Sequence, residues 1–288
     1  MINFIRFKKL YFAFSGAMIL ISAASLIMWG VNPSIDFTGG SLISLKFTKN
    51  IEIQELKNSM QEVEGIEINA IQPQEEVGEY VVRLKAIEDQ KKNEAILKLT
   101  EKYGEVEVSR FETVGPVLGS ELLFRTFVAV VIASSFIMFY VARQFKDRAF
   151  GLAAILAMFH DTFILFGAFS LFGQFLGVEI DTLFVTAILT TLSFSVHDTI
   201  VVFDRIREQS SVNVNKDLNT LVNNAVTQTL SRSLNNSMTI IFMLTSLVVL
   251  GGETIRWFAA ALLIGTVLGT YSSPFLAVPL LTIFKKNK

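Results

Sequence analysis

Cysteine is absent from the 288 residues, so no disulfide framework can be built from this chain. Its absence does not assign an oxidising or a reducing compartment. No Gly-Lys dipeptide occurs anywhere, which removes the phosphate-binding P-loop. HExxH and GxSxG are missing as well, so the zinc-protease helix and the nucleophile elbow have no counterpart. The chain therefore reads as neither an ATPase nor a hydrolase, and no enzyme activity, cofactor or metal is expected. Histidine occurs only twice, at His160 and His197.

What the chain does have is apolar bulk. Half of its residues are hydrophobic, 26 are Phe, and the mean hydropathy is +0.51, values of a membrane protein. Six runs are long enough to cross a hydrocarbon core of roughly 30 Å, for which about 20 residues suffice. They lie near Tyr11–Trp29, Leu122–Val141, Gly151–Phe172, Asp181–Phe203, Arg232–Leu250 and Trp257–Phe284. The fifth reaches that length only by taking in Arg232, Asn235 and Asn236. The first has an apolar core longer than the about 7–15 residues of a signal peptide, and no small-residue cleavage site follows Trp29. It is read as a retained span.

Basic residues set the orientation. Arg6, Lys8 and Lys9 precede span one, while Arg143, Lys146 and Arg148 separate spans two and three. Arg205, Arg207 and Lys216 separate spans four and five, and Lys285, Lys286 and Lys288 close the chain. The short loops 173–180 and 251–256 hold only Arg256. Both termini are thus expected in the cytoplasm, with the long loop after span one outside. That loop is acidic, with ten Lys+Arg against seventeen Asp+Glu over residues 30–121.

The loop also has an ordered pattern. Ser41–Phe47 alternates like a strand, and Ile51–Val63 carries Leu56, Met60 and Val63 at helical spacing. Ile66–Ile71 and Tyr80–Ile87 read as strands joined through "EEVGE". Glu88–Tyr103 places Ala95, Ile96 and Leu99 on one side and ends at Gly104, and Val106–Phe111 is a last strand. The order β-α-β-β-α-β is that of ferredoxin-like domains. The expected architecture is therefore six transmembrane α-helices with a small α+β ferredoxin-like extracytoplasmic domain. Residues 1–29 hold the N-terminal segment and first span, and 30–121 the outer domain. Residues 122–288 hold five spans and a cytoplasmic amphipathic segment around 204–231. Within that segment Leu218, Leu221, Val222, Ala225 and Leu230 form one face, which suits a helix lying on the inner membrane surface. The outer domain carries no catalytic cluster and reads as a docking module.

One motif occurs twice inside the spans. His160-Asp161-Thr162 lies near the middle of span three, and His197-Asp198-Thr199 lies in span four, an antiparallel neighbour. Asp198 stands about five residues, or roughly 7–8 Å, from the inner end of its span. A carboxylate at mid-membrane costs on the order of 2.5–3.5 kcal/mol on insertion scales, so it needs a partner or a task. Arg232, at a similar depth in span five, is the expected partner. A proton arriving on Asp198 would weaken such a pair and couple protonation to helix movement. The same pair also serves equally well as static glue between helices. His197 points about 100° away from Asp198 on a helix and so faces a different neighbour. His160, Asp161 and His197 are the further candidates for a proton path. Gly265 and Gly269 form a GxxxG of the kind that permits close helix packing. Pro274 and Pro279 are expected to bend span six.

Six short motifs, in order along the whole chain, carry a resemblance. "DFTGG" at Asp36–Gly40, with Gly39 and Gly40 as structural glycines, and "GPVLGSEL" at Gly115–Leu122 come first. "HD" in span three and "DTIVVFDRIRE" at Asp198–Glu208 follow, then "SRSLNNS" at Ser231–Ser237 and "GTYSS" at Gly269–Ser273. In these the sequence resembles the smaller, SecF-type members of the SecD/SecF family of bacterial export proteins, a branch of the RND superfamily. That family often has Asn where His197 stands. The resemblance implies a proton-motive-force-dependent aid to the late stage of preprotein translocation through SecYEG. It implies SecD as partner, with YajC and YidC as further ones, a translocating preprotein and protons as what is handled, and no nucleic acid. It also implies that Asp198 and Arg232 match the family's proton-pathway residues. Six spans with one outer loop look like half of a twelve-span RND bundle. The competing expectations are half of an RND-type small-molecule or lipid exporter, and an assembly subunit without proton coupling.

Overall fold

The first apolar run is helical in the computed structural model, which describes residues 3–74, 77–145, 147–212 and 217–286. A short 3-10 turn, Phe4–Phe7, is capped by the Asn3 side chain, which accepts from the Arg6 N–H. It leads into α1, Lys8–Met28. The chain divides into two compact units, residues 33–127 and the remainder.

The first unit opens with a single helical turn, α2 (Ile35–Thr38), whose N-cap Ser34 accepts from the Asp36 N–H. Strand β1 (Gly40–Phe47), helix α3 (Ile53–Gln61), strands β2 (Ile68–Pro73) and β3 (Glu79–Leu84), helix α4 (Asp89–Tyr103) and strand β4 (Val106–Val114) follow. The strands pair antiparallel in the order β2-β3-β1-β4, the ferredoxin-like arrangement. Alternation puts Ile43, Leu45 and Phe47 of β1 on the face that α3 and α4 cover. Leu56, Met60, Val63, Ala95 and Leu99 close that core, each no more than 1% exposed. Tyr80 is buried too, and its hydroxyl donates to the Ile51 carbonyl at 2.6 Å. The first two residues of the expected "EEVGE" turn lie outside the described residues.

The double glycine at the start of β1 is required by its backbone. Gly39 has φ 71° and ψ 165°, and Gly40 has φ 129°, conformations that side chains of L residues disfavour. A Cβ on Gly39 would also lie 2.7 Å from the Pro116 Cα, the first residue of helix α5 (Pro116–Gln144).

The second unit holds the remaining long helices. These are α6 (Arg148–Leu176), α7 (Thr182–Val212), α8 (Leu218–Leu250) and α9 (Glu253–Ser272). A π-helical turn at Ser273–Ala277, containing Pro274, joins α9 to α10 (Val278–Lys286). Among the described residues six segments are long and apolar enough to cross a membrane. Helix α6 and the last span, Ile255–Lys285, are the most enclosed: α6 packs against α1, α7 and α9, and α9 in turn packs against α7 and α8. By contrast, the apolar stretch of α5 buries none of its residues within this chain.

Helix α7 runs past the span end expected at Phe203 as far as Val212, so that Asp204, Arg205, Arg207 and Glu208 form a polar helix end. Its polar end is sustained by pairs one turn apart, Arg205–Glu208 at 2.6 Å and Arg207–Asp204 at 3.0 Å. Residues 218–230 are not a separate surface helix, because they form the first turns of α8 without a break. Their apolar face is buried instead of lying on lipid: Leu221, Val222 and Ala225 are no more than 5% exposed, and α8 meets the Phe4–Phe7 turn there. Asn223 secures that contact by accepting from the Ile5 N–H at 3.2 Å.

Candidate functional site: two aspartates in neighbouring spans

The repeated motif resolves into two unlike sites. In α6, His160 and Asp161 are both 5% exposed. Asp161 accepts from three donors drawn from three helices. The His160 Nδ1 stands 2.9 Å from Oδ1, while the hydroxyls of Ser195 in α7 (2.7 Å) and Ser272 in α9 (2.6 Å) both donate to Oδ2. An ionised Asp161 thus fixes the imidazole proton on Nδ1. The His160 Nε2 is buried and has no hydrogen-bond partner among the described residues. The cluster ties α6, α7 and α9 together at one level of the bundle.

In α7 the second copy is turned the other way. Thr199 is the buried member; its hydroxyl donates to the Ser195 carbonyl and shares a 2.9 Å hydrogen bond with Ser273 in the π-helical turn. Asp198 is half-buried, and His197 is exposed, as the helical turn of 100° per residue requires. Among the described residues the Asp198 carboxylate receives a single hydrogen bond, from the Ser233 hydroxyl of α8 at 3.2 Å.

The expected pair of Asp198 with Arg232 is absent: among the described residues no ion pair joins them. Ser233 and Arg232 are consecutive on α8, so when the hydroxyl faces α7 the guanidinium turns about 100° aside. Arg232 lies instead on the wall of a cavity between the ends of α7 and α8.

A small crevice of about 10 Å³ adjoins Asp198, lined by Ser237, Thr266 and Thr270 among others, and it has room for about one water molecule. Thr270 donates to Ser237 across it at 2.7 Å. The close approach of α7 and α9 that builds both sites depends on Gly265 and Gly269. A Cβ on Gly265 would fall inside the Thr191 side chain, and one on Gly269 would lie 3.1 Å from the Ser195 Cα.

Sequence reasoning did not single out Ser195, Ser233, Ser272 or Ser273, although the last three lie in motifs quoted above and Ser195 stands two residues before His197. Their signal is a hydroxyl within an otherwise apolar span, where a neighbouring helix is the available partner.

Comparison with known proteins places these residues in a familiar setting. Residues 93–287 match the family of protein export membrane proteins SecD/SecF, C-terminal, and residues 25–51 match the SecD/SecF GG motif. The GG match covers Gly39 and Gly40. The protein translocase subunit SecF of Thermobaculum terrenum is 38% identical, over 100% of this chain and 95% of its own length. That of Anaerolinea thermophila is 36% identical, over 100% and 96%. Among solved structures, SecDF from Thermus thermophilus, described as a translocon-associated membrane protein, superposes with a TM-score of 0.85 at 34% identity. The likeness covers 100% of this chain but 39% of that one, so this chain spans well under half the length of the SecDF polypeptide.

Proposed function

The chain belongs to the SecD/SecF family of protein-export membrane proteins, and from that premise we propose that it draws on the proton motive force, through Asp198, to help complete export. Its role as a protein translocase subunit of the Sec pathway is the common ground. The proposal adds the energy source and the residue that takes the proton. Working partners in this reading are SecD, which shares one polypeptide with the matching region in the Thermus structure, the SecYEG channel and the emerging preprotein.

The observation that carries the reading is the contrast between the two aspartates. Asp161 has three donors fixed on it, so protonating it would disturb three helices at once. Asp198 has one neutral donor, a half-buried position and a water-sized crevice at its side. A carboxylate held so lightly can gain and lose a proton by moving one serine, without first breaking an ion pair. Protonation removes the charge that keeps this face of α7 costly in lipid, and so shifts the preferred packing of α7 against its neighbours. His160 and Asp161 act as the anchor behind α7, and His197, which is exposed, has no part in the cycle proposed here.

The energy scale suits many small steps. One proton crossing 100 mV releases about 2.3 kcal/mol, so moving a long polypeptide requires repeated cycles.

The test is completion of preprotein translocation in inverted vesicles after ATP is exhausted and a proton gradient is applied. Asp198→Asn, assembled normally, is expected to lose gradient-driven completion, while Asp198→Glu keeps a measurable part of it. Full activity in Asp198→Asn would show a subunit without proton coupling at this residue.

A further inference from the structure

The cavity that receives Arg232 has a charge and a depth of its own. It encloses about 900 Å³ between the ends of α7 and α8, and its walls include Arg205, Arg207, Arg232, Asp204, Glu208 and Gln228. Depth can be counted along both helices. Asp204 is 22 residues from Thr182, the first residue of α7, which is about 33 Å at 1.5 Å per residue. Gln228 is 22 residues from Leu250, the last residue of α8, again about 33 Å. Arg232, 18 residues or about 27 Å from Leu250, therefore sits at the edge of a hydrocarbon core of roughly 30 Å, and the Asp204 and Gln228 walls just beyond it, at the level of lipid headgroups.

The charges are not balanced. Arg205 is engaged with Glu208 at 2.6 Å, and its Nε donates to Gln228 at 2.7 Å. Arg207 stands 3.0 Å from Asp204, although that carboxylate oxygen receives no well-aligned hydrogen bond. Arg232 makes neither an ion pair nor a hydrogen bond with any other described residue. Three guanidiniums face two carboxylates, and the unmatched one is Arg232. A planar guanidinium presents its donors as a fork that matches two oxygens of a phosphate. Basic pockets between spans at the membrane surface hold acidic lipid headgroups on the same principle.

We propose that this cavity binds one phosphate group, with Arg232 as its principal ligand and Arg205 and Arg207 flanking it. The phosphodiester of an anionic phospholipid and free inorganic phosphate share that chemistry. The inference uses only the spanning of α7 and α8 and does not depend on Asp198 carrying a proton.

The test uses the full chain, purified in detergent and stripped of lipid. Phosphatidylglycerol and phosphatidylcholine are titrated separately and retained adducts counted by native mass spectrometry. Inorganic phosphate is added in a parallel arm, with the melting temperature read against chloride at equal ionic strength. One phosphatidylglycerol is expected to be retained in preference to phosphatidylcholine. Arg232→Gln should lower that retention by about tenfold, as loss of a bidentate guanidinium contact does. Glu208→Gln, which removes an opposing charge, should raise it, and Lys8→Gln, outside the cavity, should leave it unchanged. Circular dichroism and melting temperature establish that each variant is folded. Binding of phosphate without phosphatidylglycerol, lost in Arg232→Gln, would identify the free ion as the ligand. Equal retention of the two lipids with no phosphate effect would overturn the proposal, as would a fall in retention in Glu208→Gln.

Discussion

Replacing Asp161 by Asn and by Ala should have very different costs, because the site is a matter of hydrogen-bond geometry before it is a matter of charge. In the wild-type chain both serine hydroxyls donate to the same oxygen, Oδ2, while His160 meets the other. An Asn can place its carbonyl oxygen where Oδ2 was and keep both serines. Its amide then donates to the imidazole Nδ1, provided the ring proton moves to Nε2. All three contacts survive, so Asp161→Asn should cost about 1 kcal/mol or less. Ala removes all three and leaves the buried Ser195, Ser272 and His160 to find other partners. Hydrogen bonds between membrane helices average about 0.6 kcal/mol, with a maximum near 1.7, so the two serine bonds, which alone cross between helices, give about 1–3 kcal/mol. The assay is SDS-driven unfolding in mixed micelles, followed by helix circular dichroism. Equal losses in the two variants would refute the geometric account, and a loss below about 1 kcal/mol in Asp161→Ala would show that the cluster is not what holds α6, α7 and α9 together.

Other consequences follow from the same contacts. Gly265→Val should push α9 away from Thr191 and cost about 1–3 kcal/mol of overpacking in the same unfolding assay. Gly39→Ala combines an unfavourable φ of 71° with contact on Pro116, at a cost of about 1–3 kcal/mol. It should appear as faster amide exchange in residues 33–127 of the full chain. Leu56→Ala empties a fully buried position in the outer domain, and a loss of about 2–5 kcal/mol is expected from the same exchange measurement. Arg232→Gln should change unfolding stability by no more than about 0.5 kcal/mol, because no ion pair is broken. A large loss would indicate a pair with Asp198 that the structure does not contain.

The outer domain was legible because its strands and helices are short and half-buried, so Ile43, Leu45, Leu56 and Leu99 recur with the period of their elements. The spans were legible from hydropathy, but their ends were not. Hydropathy marks where lipid stops, whereas α7 and α8 run on into polar turns that ion pairs and the N-terminal turn stabilise. Asp161 and Asp198 stood out as carboxylates in apolar runs, and depth and the family resemblance favoured Asp198 as the proton carrier, but the hydrogen-bond partners of each were not legible. Their difference arises from rotation: Asp161 points into the three-helix contact, and Asp198 toward α8. Predicting Arg232 as the partner of Asp198 relied on equal depth, which leaves helix rotation undetermined. A serine one residue further along takes the contact.

The central claim is that Asp198, and not Asp161, takes up and releases the proton. Infrared difference spectroscopy on reconstituted protein tests this directly, by following the carbonyl stretch of protonated carboxyl groups as the medium is acidified. The account requires a band that appears on acidification in wild type and in Asp161→Asn, and that is missing from Asp198→Asn. A band that persists in Asp198→Asn and vanishes in Asp161→Asn would contradict it, and would move the proton to the site assigned here to anchoring α7.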